Sequence, residues 1–338
     1  MAIAPRATVK VVYEGVDISQ DISADLLSFV YNDNEGGKSD DVSLKLKNNH
    51  GKWSGAWLPQ EGDTIEATII KQTDAGTQQF YCGKCTIDDL KFSGPPSTIE
   101  INAVSVPIDN SVRRQKKSRA WENVKLSEIA ADVAGNAQLD LLFLPEDSAG
   151  VDPTYERRDQ REETDLAFLQ RICTDEGYQL KVTDRQLVVF NPETMQQQPE
   201  IADYTLGESA IMGWNLNQQA HDVYKTVTVE YKDAVTNQLN AYTYTDPDIT
   251  RGNTFKVVQR VESIGEAERL AKSTAFNKNR LKIEGSLVVF GNPNIATGAT
   301  IMLNGFGKFS GKYYIKNSKQ NVEGGYTTTI EVTTVQEG

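Results

Sequence analysis

Histidine and cysteine are scarce in this chain: two histidines and three cysteines in 338 residues. His50 and His221 stand apart, neither in an HExxH-type setting, so a helix-borne zinc hydrolase site is excluded. Three cysteines cannot build a disulfide scaffold, and they fit a reducing compartment. No run approaches the roughly eighteen apolar residues of a membrane-spanning helix. The opening MAIAPRATVKVVYEG lacks the apolar core of a secretory signal. No G-x-S-x-G nucleophile elbow occurs. Positive charge is in deficit too, 35 Lys and Arg against 47 Asp and Glu, a net −12. Such a chain repels nucleic acid on average and does not coat DNA.

The motifs that are present carry little chemistry. CGKC, from Cys82 to Cys85, lies between β runs with no helix after it, so no dipole lowers a thiol pKa. A zinc site would need a second ligand pair, and the sequence has no other. The structural reading of these cysteines is preferred. GFGKFSG (residues 305–311) is flanked by strands on both sides, where a dinucleotide loop needs a helix, and reads as a hairpin turn. RRQKKSR (residues 113–119) could grip an anionic surface but reads as a solvated linker. Trp53 and Trp57, in GKWSGAWLPQEGD, could anchor a loop, dock a partner or stack on a sugar. Acids are abundant, but none form a singled-out catalytic pair. The expectation is no catalytic residue, no metal and no cofactor.

The length allows two or three domains. Near the N-terminus Val9, Val11 and Tyr13 alternate, as do Val42, Leu44 and Leu46, and Ile65, Ala67 and Ile69; a period of two marks half-buried strands. The middle changes period. Leu126, Ile129, Ala130 and Val133 share one helical face, which Gly135 is expected to close. In QREETDLAFLQRICTDEGYQL (residues 160–180), Thr164 is a candidate N-cap, Asp165 adds first-turn charge, and Gly177 can end the helix left-handed. Leu166, Leu169, Ile172 and Cys173, widened by Phe168, form its apolar stripe. YQLKVTDRQLVVF reads as a hairpin. The last third returns to β, with Val223, Val227, Val229 and Tyr231 alternating and one helix opened by a capping box from Ser263 to Glu266. The expected fold is mainly β with an α+β insertion: residues 1–110 a β domain, 111–200 a small α+β domain, and 201–338 a second β domain.

The two β regions resemble each other. GDTI at Gly62 has a counterpart in GATI at Gly298, GKCTI at Gly83 in GKYYI at Gly311, and TIEINAV at Thr98 in TIEVTTV at Thr329. The offsets, 236, 228 and 231, keep the same order, which points to a duplicated β domain.

LLSFVYNDNEGGKSDDVSLKLKNNHGKWSGAWLPQEGDTI resembles the opening of phage late control gene D proteins and defective-prophage hub proteins. The likeness rests on Tyr31, Asp33, Ser39, Asp40, Asp41, Trp53, Pro59, Gly62 and Asp63. The helix at 160–180 is similar to that family's middle-domain helix, with Asp165, Phe168, Leu169, Arg171, Gly177 and Tyr178 in place. The C-terminal GNPNIATGATIMLNGFGKFSGKYYI, with GGYTTTIEV after it, resembles the family's tube-like domain.

The resemblance implies two tail-tube-like β-barrel domains flanking the α+β domain. It implies a structural baseplate hub of a contractile phage tail or phage-tail-like particle, and not an enzyme. Such hubs are homotrimers whose six β domains form a pseudo-sixfold ring, joining a hexameric tail tube protein to a trimeric spike protein. Other baseplate proteins and a tape-measure protein are the further expected partners. Localisation is the particle's baseplate, after synthesis in the bacterial cytoplasm. DNA could pass the channel without sequence-specific binding, with acidic groups keeping it from sticking. No lysozyme-like or β-helical spike segment follows residue 338, so spike and wall hydrolase are expected as separate chains. Asp40, Asp41, Trp53 and Trp57 are the interface candidates, although Asp40 and Asp41 could equally cap a turn. The rival readings are a tail-associated peptidoglycan hydrolase and a carbohydrate-binding adhesion module.

Overall fold

The computed structural model describes residues 6–74, 76–105, 115–144, 152–183, 185–208, 210–219, 222–232, 238–261 and 263–335. The chain opens with β1 (Arg6–Tyr13), β2 (Val16–Asp17), α1 (Ser19–Ser23), β3 (Leu26–Asn34), β4 (Asp41–Lys47), β5 (Thr64–Thr73), β6 (Gly76–Ser93) and β7 (Thr98–Val104). The alternating residues face one core: Val9, Val11, Val42, Leu44, Leu46, Ile65, Ala67 and Ile69 are buried, with Tyr13 at its margin. Cys82 and Cys85 lie in the same core on β6, where burial pushes the Cys82 thiol well up from its usual range. A thiol held that way is not a poised nucleophile.

The middle comprises β8 (Lys116–Lys125), α2 (Leu126–Ala137), β9 (Asp140–Leu144), β10 (Thr154–Thr164), α3 (Asp165–Asp175), β11 (Gln179–Val182), β12 (Gln186–Phe190) and α4 (Pro192–Gln196). The helical stripes pack as their spacing predicts. Leu126, Ile129, Ala130 and Val133 of α2 meet Phe168, Leu169, Ile172 and Cys173 of α3, while Leu166 is only partly buried. The Thr164 hydroxyl accepts from the Ala167 N–H at 3.3 Å, and Gly177 adopts φ +85° just beyond α3. β11 and β12 form the expected hairpin, and β9 joins it in parallel.

Two expectations for this region are corrected. Gly135 lies inside α2; the helix ends at Gln138, with φ +58°, because the buried Ala137 carries the apolar stripe one further step. The basic run is not a solvated linker where the structure describes it. Lys116 to Arg119 open β8, and Lys117 (2.5 Å) and Arg119 (3.2 Å) hold the fully buried carboxylate of Asp165. Two cations and the Gln160 amide, at 2.9 Å, compensate the cost of burying that charge. Arg113 and Arg114 lie outside the described residues, as does His221.

The rest comprises β13 (Glu200–Thr205), β14 (Ile211–Gln218), β15 (Tyr224–Lys232), β16 (Leu239–Thr245), β17 (Asn253–Val261), α5 (Ile264–Asn279), β18 (Ile283–Phe290), β19 (Thr300–Asn304), β20 (Gly311–Val322) and β21 (Tyr326–Thr334). Ser263 caps α5 by accepting from the Glu266 N–H at 3.2 Å. The Glu266 carboxylate pairs with Arg158. β15, β16 and β17 form a separate sheet under α5 with its own core around Val227, Val229 and Leu270. That sheet sits between β14 and β18 in sequence, a subdivision that the boundaries 201–338 do not mark. GFGKFSG is the turn between β19 and β20.

The β units at the two ends repeat one plan. Six strands in the order β3-β4-β7-β6-β5-β1 correspond to β14-β18-β21-β20-β19-β13. All adjacent pairs are antiparallel in both sets but one: β13 meets β19 parallel where β1 meets β5 antiparallel. Irregularities recur at equivalent places: after Leu26 and after Ile211, and after Ile87 and after Ile315. Gly62 and Gly298 have φ +92° and +89°, and donate to the Ile87 carbonyl at 2.9 Å and the Ile315 carbonyl at 3.0 Å. The shared bulge matches Asn102 with Glu331, an offset of 229, so Thr98 answers to Thr327 rather than Thr329.

The two units are halves of one open sheet of thirteen strands, joined where β3 pairs antiparallel with β20. Among the described residues no strand pairing closes either half into a barrel, and the mainly β class holds. No helix among these residues is long and apolar enough to cross a membrane.

Candidate assembly interface

NEGGKSD (residues 34–40) leaves the sheet between β3 and β4 and meets both the middle hairpin and the second β unit. Its glycines allow the approach. The Gly37 N–H donates to the Leu180 carbonyl at 3.1 Å, and a Cβ on Gly36 would come within 2.9 Å of the Leu180 oxygen. Gly36→Ala is therefore expected to destabilise by about 1–3 kcal/mol, because a backbone carbonyl cannot move aside. Lys38→Ala, at an exposed site in the same loop, should stay within about 0.5 kcal/mol. Denaturant unfolding of the two variants checks both expectations.

Alternation on β11 buries Leu180 and Val182 in the middle core and turns Lys181 the other way, onto β3. There its ammonium pairs with Asp33 and lies 3.5 Å from Asp40; both aspartates are 4% exposed. The other Asp33 oxygen accepts from the Thr297 N–H at 2.8 Å, in the turn before β19. Asp33 thus ties the first β unit to the middle and to the second unit at once. Asp40 accepts from the Asn34 N–H at 2.8 Å and from the Tyr31 hydroxyl at 3.2 Å. Burial raises the Asp40 carboxyl to about 6; Lys181 pulls it down and Asp33 adds to the rise. Burial works to lower the Lys181 ammonium, but Asp33 and Asp40 outweigh it, and the net shift is upward. One residue beyond the strand, Glu35 receives both guanidinium arms of Arg280, at 2.7 and 3.2 Å, with both side chains buried.

Of the four interface candidates, Asp40 closes the 34–40 turn and sits inside the joint. Asp41 opens β4, accepts from the Asn32 amide at 2.7 Å and lines a cleft facing Leu166, Gln170 and Arg171. Trp53 is buried, with its indole N–H on Asp25 at 2.8 Å and its backbone N–H on Asn48 at 2.9 Å, which fixes the loop after β4. Trp57 stays 44% exposed, edge-on to Trp53 at 5.8 Å. The Lys52 ammonium lies 4.3 and 4.5 Å from the two ring centroids, so a cation of the chain itself occupies aromatic surface that a sugar would need. The structure brings Asp40 and Asp41 to one loop and the two tryptophans to another. Lys181, Glu35 and Arg280 escaped the sequence reading: each joins a partner far along the chain, and only the lysine inside an otherwise alternating QLKV hinted at a role. Among the described residues no group of three or more candidate metal ligands gathers.

No family model matches the chain. The probable baseplate hub protein of Escherichia phage P2 is 27% identical over 166 residues, 49% of this chain. The match spans only 40% of the P2 protein. A tail protein from Neisseria meningitidis MC58 has the same fold, with a TM-score of 0.73 at 12% identity, covering 97% of this chain and 96% of that one. The 43 kDa tail protein of prophage MuSo2 from Shewanella oneidensis gives 0.74 at 13% identity, covering 97% and 98%. A type VI secretion component of E. coli, described as similar in structure to the T4 tail proteins gp27 and gp5, gives 0.57 at 12% identity, covering 98% and 77%. The chain thus has the fold of phage tail proteins, and the resemblance to baseplate hub proteins read from its residues is borne out by the P2 match.

Proposed function

We propose that the protein is the structural baseplate hub of a contractile phage tail or phage-tail-like particle. Three copies form a ring of six β units that joins a hexameric tail tube above to a trimeric spike below. Other baseplate proteins and a tape-measure protein are its further partners. The observation that carries this reading is the repeated strand order within one chain, with its bulges at equivalent positions. Two equivalent units per chain let three chains present six similar surfaces on one side and threefold symmetry on the other. The middle α+β region, pinned by the Lys181 contact with Asp33, braces the seam between the units.

Native mass measurement together with negative-stain class averages tests the proposal. The expected result is a trimer with a central hole. Monomers at every concentration would remove the ring from the proposal. Glycan binding lost in Trp57→Ala without loss of fold would favour an adhesion module instead.

A further inference from the structure

The duplication gives each unit the same two edges, but among the described residues only one of each pair is used within the chain. The seam joins β20 of the second unit to β3 of the first: Asn317 opposes Asn34, Lys319 opposes Asn32, and Val322 opposes Phe29. The equivalent of β20 is β6, and the shared bulge sets Asn317 on Asp89. The equivalent of β3 is β14, and the irregularities after Leu26 and Ile211 set Phe29 on Trp214. Within the first unit, β5 pairs with β6 only as far as Thr86, as β19 pairs with β20 only as far as Tyr314. Beyond that point β20 is covered by β3. Among the described residues β6 has no strand on that side from Asp89 to Ser93, and β14 pairs with β18 alone.

The side chains on these two open edges are those of a covered seam. Phe29 is fully buried at the seam and Tyr31 is 6% exposed; Gln320, opposite Tyr31, is fully buried. Their counterparts are Trp214, 54% exposed, Leu216, half-buried, and Phe92, 65% exposed. Met212, beside them on β14, is 55% exposed. Long strand edges carrying large apolar groups are a liability unless something pairs with them.

We infer that the β6 edge of one copy, residues 89–93, adds to the β14 edge of a second copy as an antiparallel pair in the register of the internal seam. Lys91 then faces Asn217, Phe92 faces Leu216, and Ser93 faces Asn215. The two edges are different surfaces, so the contact is head-to-tail and propagates until the rotation closes. Internal and intermolecular seams alternate around the assembly. The number of copies, three, rests on the hub reading above; the pairing rests on the internal seam alone.

Single-cysteine chains test the register. Lys91→Cys and Asn217→Cys both replace exposed residues, and the native Cys82, Cys85 and Cys173 are buried. Directly opposed Cβ atoms in an antiparallel pair lie ~5 Å apart and diagonal ones ~7 Å or more, and a disulfide requires ~4 Å. Mild oxidation of a mixture of the two chains should give a reducible two-chain product. It should exceed, by roughly tenfold, the product of Lys91→Cys mixed with Asn215→Cys, the position shifted by two. Neither chain alone should give it.

Phe92→Asp supplies a second measurement. At a site exposed in the single chain it should leave the far-UV circular dichroism spectrum of the folded chain unchanged while releasing monomers from the assembly. A trimeric ring whose cysteines link only at the shifted position, or do not link at all, overturns the inference and leaves the hub reading standing. Linkage in register within open chains longer than three supports the pairing and removes the ring. Absence of both self-association and cross-linking overturns the pairing.

Discussion

Lys181→Met is expected to lose about 3–5 kcal/mol of stability at pH 7, because it leaves two buried carboxylates facing each other without their cation. The loss should shrink on acidification. The native Asp40 carboxyl is raised to about 6 from an ordinary value of 3.8. A raised carboxyl favours folding fully below its unfolded pKa, and that contribution disappears as pH climbs through the folded one. In the parent protein this part of the stability therefore falls between about pH 4 and pH 6. Without Lys181 the Asp40 value moves higher still, so the variant's native state takes up a proton nearer neutrality. Urea unfolding of parent and variant at pH 7 and pH 5 reads the difference. A deficit that stays constant or grows on acidification would show that Asp40 is not the titrating partner. Groups shifted elsewhere, Asp175 and Glu176 among them, are common to both proteins and largely cancel from the comparison.

Arg280→Met should cost a similar ~3–5 kcal/mol, since Glu35 is left as a buried carboxylate stripped of two hydrogen bonds. Glu35→Gln combined with Arg280→Met should recover most of the loss, because a buried ion pair replaced by neutral groups often costs little. The cycle separates the value of the pair from the penalty of an orphaned charge. Additive losses in the double variant would mean that the two side chains act independently. Both joints act between segments far apart in sequence, by 148 residues for Lys181 and Asp33 and by 245 for Arg280 and Glu35. Their loss is therefore expected to loosen the docking of units before it melts any one core, and hydrogen exchange at the 34–40 loop should report that first.

Local elements were legible because their determinants are local. The α2 and α3 stripes, the Thr164 and Ser263 caps, the left-handed Gly177, and the 178–190 hairpin each follow from residues within a few positions. The duplication was legible for the same reason, since each β unit repeats its turns. Its third match was placed two residues out. Strand side chains alternate with period two, so a shift of two preserves the apolar pattern, and only the bulge opposite Asn102 and Glu331 fixes the register. Lys117 and Arg119 were read as solvated because nothing near them in sequence names Asp165 as their partner.

By itself the sequence determined the mainly β class, the middle helices and hairpin, the repeat and the likeness to baseplate hubs. Tertiary structure alone decided that the two units share one open sheet through β3 and β20, that Asp33 and Asp40 are the counter-charges of Lys181, and that, among the described residues, β6 from Asp89 to Ser93 and β14 each have one edge without a strand partner. Those features depend on which backbones lie side by side. Side-chain pattern specifies the faces of a strand, but the hydrogen-bonding edges of all strands carry the same N–H and C=O groups, and only the assembled fold selects their partners.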